Sequence, residues 1–141
     1  MHAPGSDWAS RQRDLPAELG SPGAARAVIR AACLAWDIDD GVCEDAELVA
    51  SELVANVVDH AGTPCTLTVS VDDEGLLIGV RDFYPCQPPQ AQPLDPSSRR
   101  GRGLQAVAAV SSRWGVTPFQ DGKSVWALLP AVSPRAALHS R

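Results

Sequence analysis

What this sequence lacks narrows its function before any motif is read. No apolar run approaches the roughly 18 to 20 residues that a membrane-spanning helix needs, so a helical membrane protein is not expected. The opening Met1-His2-Ala3-Pro4-Gly5-Ser6-Asp7-Trp8 lacks the basic-then-apolar build of a signal peptide, and a cytoplasmic location is expected. Basic charge is scarce: 12 Lys and Arg against 17 Asp and Glu leave a net charge of -5. That is the wrong sign for a surface built to hold a phosphate backbone, so no nucleic-acid partner is expected. Cys33, Cys43, Cys65 and Cys86 form no C-x-x-C pair and have no histidine at metal-ligand spacing. Reduced, buried small hydrophobes are expected there, rather than a zinc site or a disulfide framework. No internal repeat is visible.

What is present suits one folded domain: 141 residues, 45% hydrophobic and 21% charged. Its organising stretch runs from Asp45 to Ala61. Ala46, Val49, Ala50, Leu53 and Val57 recur at three- and four-residue spacing, which at about 100° per residue makes one buried helix face. Val54 and Val58 widen that face until only a narrow polar strip remains, carrying Asp45, Glu52, Asn56 and Asp59. Glu52 and Asn56 are four apart, so a carboxylate and an amide stack one turn above the other. His60 adds an imidazole in the last turn, and Gly62 is the expected C-cap. Just upstream, Asp37, Asp39, Asp40, Glu44, Asp45 and Glu47 crowd a span with no Lys or Arg. That cluster suits either a basic partner surface or a solvated turn with acids at a helix start.

In chain order, residues 1–12 read as a loose tail and Arg13 to Leu19 as a short edge strand that tolerates Pro16. Ser21-Pro22-Gly23 reads as a helix start, with Ser21 the cap, leading through Ala25, Val28, Ile29, Ala32 and Cys33 to about Trp36. Thr66 to Val71 alternates strictly between hydroxyl and apolar residues, the mark of a strand with one buried face. A turn at residues 72–75 returns Leu76 to Asp82 as a hairpin, placing Ile78, Val80 and Asp82 on one face. Asp82 thus ends a buried row, where a carboxylate is costly unless something donates to it. Residues 83–100 hold five prolines and read as a long loop of lid type. Arg99-Arg100-Gly101-Arg102-Gly103 then opens a helix continuing through Leu104, Val107, Ala108 and Val110. Two glycines at a helix start expose backbone amides where partial positive charge collects, an arrangement that suits phosphate. A second hairpin follows across Gln120 to Gly122, with Trp114 and Trp126 expected in the core. Residues 131–141 read as an unstructured tail.

An acid and amide on a buried helix, a buried carboxylate ending a strand, and a glycine-arginine helix start are jointly explained by an ATP and Mg2+ site. The segment Glu52-Leu53-Val54-Ala55-Asn56-Val57-Val58-Asp59-His60-Ala61 resembles the N box of the GHKL ATPases, the histidine-kinase-like ATP-binding family. The order N box, Val80-Arg81-Asp82, lid, Gly101-Arg102-Gly103-Leu104, Trp114-Gly115 and Gly122-Lys123-Ser124-Val125-Trp126 is similar to the small bacterial members related to anti-sigma-factor serine kinases. The likeness covers residues 13–130. It implies an α+β fold, a two-layer sandwich with helices on one face of a mixed, mostly antiparallel sheet. It also implies ATP and Mg2+ as cofactors, Glu52 as catalytic base and Asn56 as the magnesium ligand. Asp82 would receive the adenine amine, with His60, Arg100, Gly101, Arg102, Gly103 and Leu104 completing the nucleotide site. An anti-sigma-factor antagonist-like protein or a sigma factor is the implied partner, and a homodimer is compatible with the family. Two positions depart from the pattern. Phe83-Tyr84-Pro85 replaces small residues, and would either narrow the adenine pocket or stack on the base. Asp59 stands where relatives are often basic, which lowers the expected nucleotide affinity. The alternative is a non-catalytic module that binds a sigma factor or another regulator and holds nucleotide weakly.

Overall fold

A computed structural model describes residues 9–84 and 101–130. The elements run β1 (Ala9–Leu15), α1 (Ser21–Ala35), α2 (Asp40–Asn56), a π-helical turn (Val57–Ala61), β2 (Cys65–Asp72), β3 (Gly75–Arg81), α3 (Gly101–Val110), β4 (Arg113–Phe119) and β5 (Gly122–Leu129). The strands form one sheet in the order β1-β2-β3-β5-β4, and each of its four described pairings is antiparallel. Alternation decides which face is covered. Cys65, Leu67 and Val69 of β2, Leu76, Ile78 and Val80 of β3, and Ala127 and Leu129 of β5 point to one side. There they join Ala25 and Ile29 of α1, the apolar face of α2, and Leu104 and Val107 of α3 in a single core. The result is the expected α+β sandwich.

Helix α2 is the centre of that layer, flanked by α1 and α3 and lying over β3 and β5. Val42, Ala46, Val49, Ala50, Leu53, Val54 and Val57 are at most 5% exposed. Each fully buried Val or Leu contributes about 1.5–3 kcal/mol from removal of apolar surface from water. From Asp45 to Val58 no residue is exposed, so Asp45, Glu52 and Asn56 of the narrow polar strip are partly buried, while Asp59 at its end is exposed.

Several boundaries differ from expectation, each for a local reason. The strand expected from Arg13 to Leu19 runs instead from Ala9 to Leu15, taking in part of the stretch read as a loose tail. It is an edge strand laddered to β2 from Ala9↔Val71 to Leu15↔Cys65, and only Leu15 is buried, so it carries no hydrophobic alternation to read. Residues 1–8 and 131–141, the rest of the two expected tails, lie outside the described residues. Ser21 is the first residue of α1 rather than its cap; being buried, its hydroxyl turns inward and donates to the Pro16 carbonyl at 2.6 Å. Helix α2 starts five residues before Asp45, because the Asp39 carboxylate accepts from Gly41 N at 2.7 Å and caps it there. The acidic cluster is thereby partly used within the fold, and Glu47 also pairs with Arg30 of α1 at 2.8 Å. Trp114 packs against the core as expected, but Trp126 does not. Ala127 beside it faces the helices, so Trp126 points to the open face, across Gly115, where an added Cβ would lie 2.8 Å from the indole.

Candidate functional site

Glu52 and Asn56 occupy the last turns of α2, both partly buried. Neither forms a hydrogen bond or ion pair among the described residues, so two enclosed polar groups keep free bonding capacity. Glu52 meets the start of α3. A Cβ on Gly103 would lie 2.2 Å from Glu52 Oε2 and 2.9 Å from its carboxyl carbon. Only a residue without a side chain lets α3 begin this close to the carboxylate. Glutamate and the glycine of the arginine-rich motif, 51 positions apart, therefore form one contact.

After Asn56 the helix widens into the π-helical turn, closed by Gly62 at φ 64°, whose N–H donates to the Val57 carbonyl at 2.9 Å. Such one-turn widenings occur often at functional sites. Asp59 and His60, which lie within this turn, are both exposed.

Asp82 follows β3 and is 1% exposed. Its Oδ2 accepts from Lys123 Nζ at 2.6 Å, and its Oδ1 accepts from the backbone N–H groups of Lys123 at 3.0 Å and Tyr84 at 3.3 Å. Close by, burial first, then the charges of Asp82 and Asp14, push the Cys65 thiol up to about 11. Phe83 N donates to Thr63 Oγ1 at 3.2 Å, which ties the loop after the π-helical turn to the residue after Asp82. The register Thr66↔Arg81↔Ser124 places the start of β2, the end of β3 and the start of β5 together. One end of the sandwich thus collects the C-terminal end of α2, the start of α3, Asp82 and Lys123.

The other expected residues fall as follows. Gly101 and Arg102 open α3, and Leu104, at 8% exposure, packs into the core. Arg100 and the lid from Pro85 to Arg100 lie outside the described residues. Phe83 lines a groove of about 410 Å3 on the open face with Thr66, Thr68, Gly79, Arg81, Phe119 and Ser124. There the Arg81 guanidinium lies 4.9 Å from the Phe83 ring centre and 4.0 Å from that of Phe119. Phe83 therefore turns away from Asp82 and does not narrow its surroundings. A second cavity, of about 230 Å3, lies between α2 and α3 near Val42, Asp45 and Val110. Neither cavity is lined by Glu52, Asn56 or Asp82. Sequence reasoning missed Lys123 and Thr63. The signal for Lys123 was its glycine neighbour at a strand start, which gains meaning only once β5 is known to lie beside β3.

Residues 15–127 match the model of the histidine kinase-like ATPase domain, and the chain belongs to that family. Among its relatives, an uncharacterized protein of Streptomyces coelicolor is 35% identical over 79 residues, covering 53% of this chain and 75% of that protein. The fold is similar to the crystal structure of the RsbU and RsbW domains of Rv1364c from Mycobacterium tuberculosis. The TM-score is 0.69 at 17% sequence identity over 89% of this chain, which spans 33% of that longer one.

The family implies ATP with Mg2+, and the residues present fit them. Glu52 and Asn56 offer hard oxygen atoms without partners among the described residues. Gly103 adds no side chain near the α3 start, and Asp82 ends a buried row. No group of three His, Cys, Asp or Glu converges on a metal-sized site among the described residues.

Proposed function

We propose that this domain is a Mg2+-dependent protein serine kinase of the anti-sigma regulatory kind, acting on a small antagonist-like partner. The observation that carries the reading is the contact of Glu52 with Gly103. It sets a partly buried carboxylate at the mouth of a glycine-opened helix, one turn from the Asn56 amide. ATP supplies the phosphoryl group, and Mg2+ neutralises its charge. Glu52 takes the proton from the partner's serine hydroxyl as that oxygen bonds to phosphorus and ADP leaves. Asn56 Oδ1 would hold the metal, and the backbone amides at the α3 start would receive the phosphates. The structure described for the Mycobacterium tuberculosis protein, which carries an RsbW domain, supports the comparison at the level of fold.

Incubation with labelled ATP and candidate antagonist proteins tests this directly. Glu52→Ala should lower transfer by about 100-fold or more, the usual contribution of a general base. Asn56→Ala should lower it comparably and make it insensitive to added Mg2+. Transfer that survives both changes refutes the assignment. The second reading, a module that binds a sigma factor or another regulator without catalysis, is favoured by one observation: Asp82 already has donors within the protein. Calorimetry showing no Mg·ATP binding at millimolar concentration would select it.

A further inference from the structure

The carboxylate expected to receive a base is not waiting for one. A carboxylate has about four acceptor positions, and three of those on Asp82 are filled. At 1% exposure, the fourth has no route to solvent. Two of the three donors are backbone N–H groups held by the fold; that of Lys123 belongs to a reciprocal pair, in which Asp82 N donates to the Lys123 carbonyl at 2.9 Å. The third is an ammonium on a four-carbon stem, 23% exposed, and among the described residues it is the only side-chain donor to Asp82; it can leave without breaking the sheet.

The approach is built into β5. Gly122 has φ 149°, and a Cβ there would lie 2.2 Å from the Asp82 carbonyl oxygen and 2.9 Å from its Oδ1. Absence of a side chain at Gly122 lets the strand start directly against the acid, which aims the next residue, Lys123, at Oδ2. The contact is therefore fixed by register and by a glycine, unlike a surface pair that forms wherever two long side chains meet.

We propose that Lys123 is a built-in competitor for the base-recognition carboxylate. Its ammonium occupies the acceptor that the exocyclic amine of adenine would use, and nucleotide binds only as the lysine swings out to solvent. This rests on the ATP-binding reading above. A charged donor bonds a carboxylate more strongly than a neutral amine does, so the exchange opposes binding and sets a low affinity. Asp82 and Lys123 together, rather than Asp82 alone, then determine how much nucleotide the domain holds.

The test is calorimetric titration of Mg·ADP into the full chain and into Lys123→Met, Lys123→Gln and Lys123→Arg, with thermal melts of each without nucleotide. Lys123→Met should bind about tenfold more tightly, the size of one charge-assisted hydrogen bond discounted for the lysine's access to solvent. Lys123→Gln should fall between it and the wild type, and Lys123→Arg should bind no better than wild type. If Lys123→Met does not fold, the Gln and Arg variants carry the same ordering. Binding in the Met variant where wild type shows none supports both the competitor and the ATP reading. Wild-type binding with equal or weaker binding in the neutral variants overturns the competitor and leaves the ATP reading standing. Absence of binding in every protein overturns both.

Discussion

At two glycines of this domain an added Cβ would make an equally short approach, yet the two should respond to alanine very differently. At Gly122 an added Cβ would lie 2.2 Å from a backbone oxygen, that of Asp82, and the residue adopts φ 149°, a region L side chains rarely enter. Neither problem can relax locally, because the same carbonyl belongs to a segment whose N–H donates to Lys123 O at 2.9 Å. Strained backbone costs about 1–3 kcal/mol and forced overpacking about as much again, so Gly122→Ala should lose about 3 kcal/mol or more. For a domain of this size that is roughly a 10 °C fall in melting temperature. At Gly103 the Cβ would also lie 2.2 Å away, but from Glu52 Oε2, the far end of a flexible side chain. Swinging that carboxylate aside is cheap, and alanine regains about 1 kcal/mol of helix propensity in α3. Gly103→Ala should therefore stay within about 1 kcal/mol of wild type. Urea and thermal unfolding of the two variants side by side give the comparison. A Gly122→Ala protein as stable as the wild type would refute the assigned strand start and, with it, the delivery of Lys123 to Asp82.

Gly103→Ala should nonetheless lower phosphoryl transfer by about tenfold or more, because the displaced carboxylate is the proposed base; a folded, fully active variant would argue against that role. Burial first, then the neighbouring Glu44, raises the Asp45 carboxyl above its ordinary value. A raised folded value gives stability that is present below the unfolded value and lost as pH rises through the folded one, so at neutral pH Asp45 opposes folding. Asp45→Asn should gain about 0.5 kcal/mol near pH 7 and nothing near pH 3, read from denaturant midpoints across pH, with solvent screening keeping the gain small. Burial, reinforced by Cys43 and Glu47, pushes the Cys33 thiol up to about 12, and Cys65 stands at about 11. Both should resist alkylation at neutral pH until the protein unfolds, which peptide mapping after labelling will show.

Legibility in the sequence followed the distance over which each feature is encoded. The strict alternation of Thr66 to Val71 and the greasy periodicity of α2 are local; both elements were recognised from them, although α2 begins five residues earlier than its periodic stretch and ends in the π-helical turn. Strand β1 was misplaced because its order comes from the β2 ladder, not from its own side chains. The π-helical turn has no periodic signature, since an apolar run accommodates either winding. The Glu52–Gly103 contact and the Lys123–Asp82 pair join residues 51 and 41 positions apart. For the first, only the order of motifs hinted at proximity; the second needed the crossover that sets β5 beside β3. Asp82 was correctly placed at the end of a buried row, yet the inference that a ligand must satisfy it overlooked a lysine able to do so from within.

Nucleotide is proposed to engage the end of the sandwich where α2 ends and α3 begins. Backbone amide shifts followed by NMR during a Mg·ATP titration test it most directly. The largest changes should fall at Glu52, Asn56, Asp82, Gly103 and Lys123, with the open face unmoved. Changes confined to the groove at Thr68, Gly79 and Phe119, or none at saturating nucleotide, would contradict it.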